Sequence, residues 1–118
     1  MVLDELYDPG KVAAMNVGLI NAIGAMKLYN AAGAAIVNSA TGLTSTDFTV
    51  NATTGVLSNV TTINFTIVAG DVGKTITYVI LQNSAQTSNL IRIDLETSVA
   101  LTTAGTATFA IGALTADL

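Results

Sequence analysis

The rhythm of hydrophobic and polar residues changes once along this chain, near Gly24. Before it, Val12, Met15, Leu19 and Ile23 recur at three- and four-residue intervals, forming one apolar stripe of an α-helix. Val17 and Ile20 broaden the stripe. Asp8-Pro9 is a start signal, because aspartate accepts from free N–H groups and proline fits the first helical position. Gly24 stands where a left-handed C-terminal cap is expected. The pattern predicts a helix over about residues 9–23, with residues 1–8 as an N-terminal arm before a single domain over 9–118.

After Gly24 the period drops to two, the mark of strands with one buried and one wet face. Ala25–Tyr29 reads as a strand, Asn30–Gly33 as a turn and Ala34–Val37 as its returning partner. Further strands are expected at Phe48–Asn51, Val56–Val60, Thr62–Val68, Thr75–Gln82, Leu90–Glu96, Val99–Thr102, Thr106–Ile111 and Leu114–Leu118. The breaks are Ala52–Gly55, Ala69–Gly73, Asn83–Ser88 and Ala104-Gly105. Turns at this spacing predict a mainly β protein, an antiparallel β-sandwich or barrel with one N-terminal α-helix. Alternation assigns Ile63, Phe65 and Ile67 to the core, and likewise Ile91, Ile93 and Leu95, and Ala107, Phe109 and Ile111. In Thr75–Gln82 it sets Ile76, Tyr78 and Ile80 on one face and Val79 and Leu81 on the other, a strand covered on both sides. Threonine, present 18 times, supplies wet faces that still suit a pleat.

Composition adds a constraint. Hydrophobic residues make up 51% and charged residues only 10%, against roughly 25% charged in an ordinary soluble domain. A free monomer of this kind exposes patches prone to association, so its surface is expected to be covered by neighbours. A net charge of −4, with Lys11, Lys27, Lys74 and Arg92 dispersed along the chain, argues against nucleic acid, whose phosphates need a concentrated basic patch. The acidic start Met1–Leu6 does not resemble a secretory leader. The uncharged stretches 28–46 and 97–116 carry too much threonine and glycine for a membrane span.

Candidate chemistry is sparse. The chain has no cysteine and no histidine, which excludes Ser/His/Asp and Cys/His catalysis, thiolate chemistry and disulfides. Asp94 and Glu96 share a strand face, which suits a cation or acid/base pair, or simply a solvated edge beside Arg92. Asp71, bracketed by Gly70 and Gly73, reads as a turn former, since no ladder of further ligands follows it. Asn51, Asn59 and Asn64 match Asn-x-Ser/Thr by chance in a chain rich in both. Tyr29 and Tyr78 are expected to pack in a core or interface. Val2, Leu3, Leu6 and Tyr7 give the arm apolar groups that need a surface to dock on. No enzymatic activity, cofactor or metal is expected.

Two longer phrases resemble a group of small bacteriophage virion proteins that combine an N-terminal helix with a β-sandwich. Phe65-Thr-Ile-Val-Ala-Gly-Asp-Val-Gly-Lys-Thr-Ile-Thr-Tyr-Val-Ile-Leu81 is similar to their Phe-x-Val-Ala-Ala-Gly-x-x-Ile-Thr-His-x-x-Leu. Ser98–Leu118 is similar to their closing Pro-Val-x-Leu-x-Ala-Gly phrase, with Ser98 in place of the proline. Residues 38–60 fall outside the likeness. The resemblance implies a virion part: head decoration, cement, or tail and fibre component. The function expected is a capsid decoration (cement) protein on the outer surface of the head. It would bind major capsid protein subunits and copies of itself, as a trimer, with Val2, Leu3, Leu6 and Tyr7 as anchors and no contact with nucleic acid or membrane. The alternative is a receptor- or glycan-binding module of a tail or fibre, which requires aromatics or carboxylates displayed on one face.

Overall fold

β-Branched residues alternate with polar ones through most of the chain, and the computed structural model, which describes residues 18–36, 40–51 and 53–117, is accordingly mainly β with antiparallel sheets. The strands among these residues are β1 (Ala25–Tyr29), β2 (Ala40–Thr41), β3 (Phe48–Val50), β4 (Val56–Asn59), β5 (Ile63–Ile67), β6 (Thr75–Gln82), β7 (Asn89–Ala100), β8 (Gly105–Phe109) and β9 (Thr115–Asp117). They form one four-stranded sheet in the order β2-β1-β6-β7, a three-stranded sheet β3-β4-β9, and the ribbon β5-β8. A single apolar cluster joins all three, with Leu28, Val79 and Ile93 from the first, Leu57 from the second, and Ile63 and Phe109 from the third.

The expected sandwich or barrel does not close among the described residues. β7 comes close to β9 and β2 to β5, yet no ladder joins one sheet to the next. β2 and β9, the short strands at these seams, form their ladders with β1 and β4 instead.

The expected helix over 9–23 lies outside the described residues as far as 17. Residues 18–22 are helical and end in a 3-10 turn at Ile20–Ala22, whose Ile20 is buried together with Ile23. Gly24 is not a left-handed cap, because its φ is not positive. It is there for space: a Cβ on Gly24 would sit 2.5 Å from Ser84 Cα, in the loop between β6 and β7. The backbone is pinned on both sides, Gly24 N–H donating to Gln82 O (2.9 Å) and Leu43 N–H to Gly24 O (3.1 Å).

Side-chain amides shape the turns. Asn30 Oδ1 accepts from the N–H groups of Ala32 and Ala34, and Asn83 Oδ1 accepts from those of Thr87 and Ser88. The strand expected at Ala34–Val37 reduces to one bridge, Tyr29 to Ala35, with Ile36 N–H donating to Leu28 O; Val37 lies outside the described residues. The ladder along β1 is instead taken up by β2, Ala25 pairing with Thr41 and Met26 with Ala40.

A bulge corrects two expectations at once. Ile76 pairs with Val99 and Tyr78 with Asp94, so Thr77 alone stands opposite Leu95–Ser98. The two strands expected at Leu90–Glu96 and Val99–Thr102 are therefore one strand, β7, that carries this irregularity. The extra residues lie on β7, and across the irregularity the alternation on β6 shifts phase. Ile76, Val79 and Leu81 therefore share the buried face, while Tyr78 and Ile80 turn outward and are half-buried. The bulge leaves Thr77 Oγ1 buried with no hydrogen-bond partner among the described residues.

Along β5 alternation holds. Ile63, Phe65 and Ile67 are buried, Asn64 and Thr66 exposed, and the Phe65 and Phe109 rings meet at 5.2 Å. Ile111, expected inside, is 65% exposed. β8 has ended at Phe109, and the chain turns through Gly112 at φ +79°, which swings Ile111 out.

Candidate interaction surface

Register on the four-stranded sheet decides which side chains meet. Leu28, Val79 and Ile93 align on the inner face. On the outer face Lys27, Ile80 and Arg92 form one row, and Tyr29, Tyr78 and Asp94 the next. The Tyr29 and Tyr78 rings stack with centroids 4.9 Å apart and planes within 3°. Arg92 Cζ lies 3.8 Å from the Tyr78 centroid, and Lys27 Nζ 5.9 Å from that of Tyr29. Arg92 Nε also donates to Asp94 Oδ1 at 2.9 Å. The cations sit where the negative ring quadrupoles favour them, so this outer face is a continuous column of cation, ring, ring and cation. Two of the four basic residues, dispersed in the sequence, thus converge on one sheet row. The tyrosines pack in strands as expected, against each other and on the outer face rather than in the core.

The column uses up the ring faces. A sugar that stacks on an aromatic needs an unoccupied face, and Tyr78 has Arg92 on one side and Tyr29 on the other. Arg92 and Asp94 stay open to solvent, their side chains 58% and 73% exposed.

A second feature lies at the bulge. Leu95, Glu96, Thr97 and Val99 of β7 line a cleft of about 220 Å³ with Phe109 and Ala113. Its lining is mixed, with Leu95, Val99, Phe109 and Ala113 beside Thr97, and its carboxylate is Glu96. Asp94, two residues earlier, is paired with Arg92 instead. The two carboxylates read together in the sequence therefore have separate surroundings, and no group of three or more acidic side chains that could hold a metal ion occurs among the described residues.

The remaining candidates are structural. Asp71 is fully buried, with Lys74 Nζ 2.6 Å from its Oδ1, in the turn that leads into β6. Asp47 closes a capping box with Thr44 and accepts from Thr61 Oγ1. Asn59 is 1% exposed. Its Nδ2 donates to Thr61 O (2.8 Å) and Ala110 O (2.9 Å), and its Oδ1 accepts from Leu114 N–H (3.0 Å). Asn51 Oδ1 accepts from the N–H groups of Thr53 and Thr54, and Asn64 Oδ1 from Thr108 Oγ1. All three asparagines of the Asn-x-Ser/Thr matches are thus engaged in turns or packing. Val2, Leu3, Leu6 and Tyr7 lie outside the described residues. No helix among the described residues is long and apolar enough to cross a membrane.

Sequence reasoning missed the cation–tyrosine column because it depends on pairing β1 with β6 and β6 with β7, which alternation within one strand does not reveal. Comparison with known proteins adds no identity to this geometry: no family model matches the chain, and neither a curated protein nor a solved structure gives a significant match.

Proposed function

We propose that this chain is a bacteriophage structural protein, a decoration (cement) protein that sits on the outer surface of the capsid and holds major capsid protein subunits and copies of itself together. The observation that carries the reading is a chain with 10% charged residues whose sheets, among the described residues, end in edges without a ladder partner. Such edges present rows of free N–H and C=O groups that neighbours can pair with. In this reading the sheets are the layers of a sandwich completed by its neighbours in the shell. Binding needs no chemistry, only strand pairing and burial of apolar area at about 25 cal/mol per Å². Repetition over many copies turns a modest contact into a stable shell.

The arm supplies the anchors, Val2, Leu3, Leu6 and Tyr7. Deleting residues 1–8 is expected to abolish binding to capsids while the domain keeps its circular dichroism and its melting transition. Wild-type occupancy by the truncated chain would remove the arm from the mechanism. Counting copies per particle tests the assignment itself: hundreds fit a head decoration, a handful a tail part. The adhesion alternative has less support, because the tyrosine faces that could stack on a sugar are occupied within the sheet.

A further inference from the structure

β7 is a strand of twelve residues with β6 on one side; β9 comes close to it, but no ladder occupies its other edge among the described residues. Long open edges are usually blunted by a scatter of charge. On this edge the charge is ordered instead. Arg92, Asp94 and Glu96 occupy successive outward positions, and Ile91, Ile93 and Leu95 alternate with them on the inner side.

Two copies meeting edge to edge about a two-fold axis must be self-complementary, with residue i facing j and j facing i. An axis at Ile93 sets Arg92 opposite Asp94 of the second copy, and Asp94 opposite its Arg92. Ile93 then meets itself, Ile91 faces Leu95 and Leu90 faces Glu96. An axis at Arg92 or Asp94 places a charge against its own copy, and one at Leu95 places Asp94 against Glu96. An axis at Ile91 leaves every charge unmatched. Half-step registers set the inner face of one sheet beside the outer face of the other. One register alone matches both charge and face.

We propose that β7 pairs antiparallel with β7 of a second copy about an axis at Ile93, joining two four-stranded sheets into one of eight strands. The intrachain contact between Arg92 Nε and Asp94 Oδ1, 2.9 Å, makes the four groups a closed ring of alternating charge. Stacking on Tyr78 at 3.8 Å holds each guanidinium in place for it. The contact is two-fold, so it is a different association from the trimer expected of a capsid decoration; it does not depend on the capsid assignment, and its test needs no particle.

The test is the mass of the full chain in solution by light scattering on a sizing column, with circular dichroism to verify folding. The wild-type chain is expected to be a dimer. Asp94→Arg keeps Arg92 on Tyr78 but sets arginine against arginine, and should weaken the dimer by roughly tenfold or more. The exchange Arg92→Asp with Asp94→Arg restores complementarity and should restore the dimer. The chain has no cysteine of its own, so Arg92→Cys mixed with Asp94→Cys should form a crosslink under oxidation that neither variant forms alone, because only directly opposed positions bring Cα atoms into disulfide range. If the exchange variant fails to fold, Asp94→Arg and the mixed cysteines decide. A monomeric wild-type chain, a dimer or trimer indifferent to Asp94→Arg, or crosslinking of either cysteine variant alone would overturn the proposal. A monomer whose Asp94→Arg variant loses capsid binding would give the edge to a capsid subunit instead.

Discussion

The two faces of the β2-β1-β6-β7 sheet share one set of backbone hydrogen bonds and differ in almost everything else. The inner face presents Met26, Leu28, Val79, Leu81, Ile91 and Ile93, none more than 9% exposed. The outer face presents Lys27, Tyr29, Tyr78, Ile80, Arg92 and Asp94, held by stacking and by charge. Inside, stability comes from area removed from water and from volume filled. Outside, each contact is worth about 1 kcal/mol or less in water. The contrast teaches that the outer face can change its partners at little cost to the fold, whereas the inner face cannot change at all.

The largest effect should come from within. Leu28→Ala opens a cavity at a fully buried position and is expected to lower the unfolding free energy by about 3 kcal/mol in a urea titration. A loss below about 1 kcal/mol would mean the inner face is loosely packed and the contrast is false. Asn59→Ala strips three hydrogen bonds from a buried corner and should cost about 2 kcal/mol, because Leu114 N–H and two carbonyls are left without that partner. It also asks whether a buried polar group can matter as much as an apolar one. Tyr78→Leu keeps some apolar cover on the outer face but removes the ring stack and the cation contact, for about 1 kcal/mol. Asp94→Asn, measured in dilute protein to suppress association, should change stability by less than about 0.5 kcal/mol. If either outer variant matched Leu28→Ala, the division of labour between the faces would fail.

Much of this architecture is legible in the chain. The bounds of β1 and β6 follow from alternation and from the Asn30 and Asn83 turns, and the core positions of β5 follow from Ile63, Phe65 and Ile67. What is hidden is what depends on pairing. Alternation counts residues along one strand, so it has no means of registering that Thr77 stands against four residues of β7, and it misplaces Ile76 relative to Val79. The pattern predicts a helix cap at Gly24, but the reason for glycine is Ser84, sixty positions along the chain. The same limit hides the outer column: Lys27 and Arg92 become neighbours in a row only after β6 is inserted between their strands.

Asn59 has a further consequence, in time rather than space. The strand it ends, β4, pairs with β9 about sixty residues later, Val56 with Asp117, and its side chain receives Leu114 N–H from the same distance. Contacts so far apart in sequence close slowly, because loop entropy is lost before they form. The β3-β4 hairpin must therefore wait on the ribosome with one edge and one amide unmet, and this half of the molecule matures only after synthesis has passed residue 117.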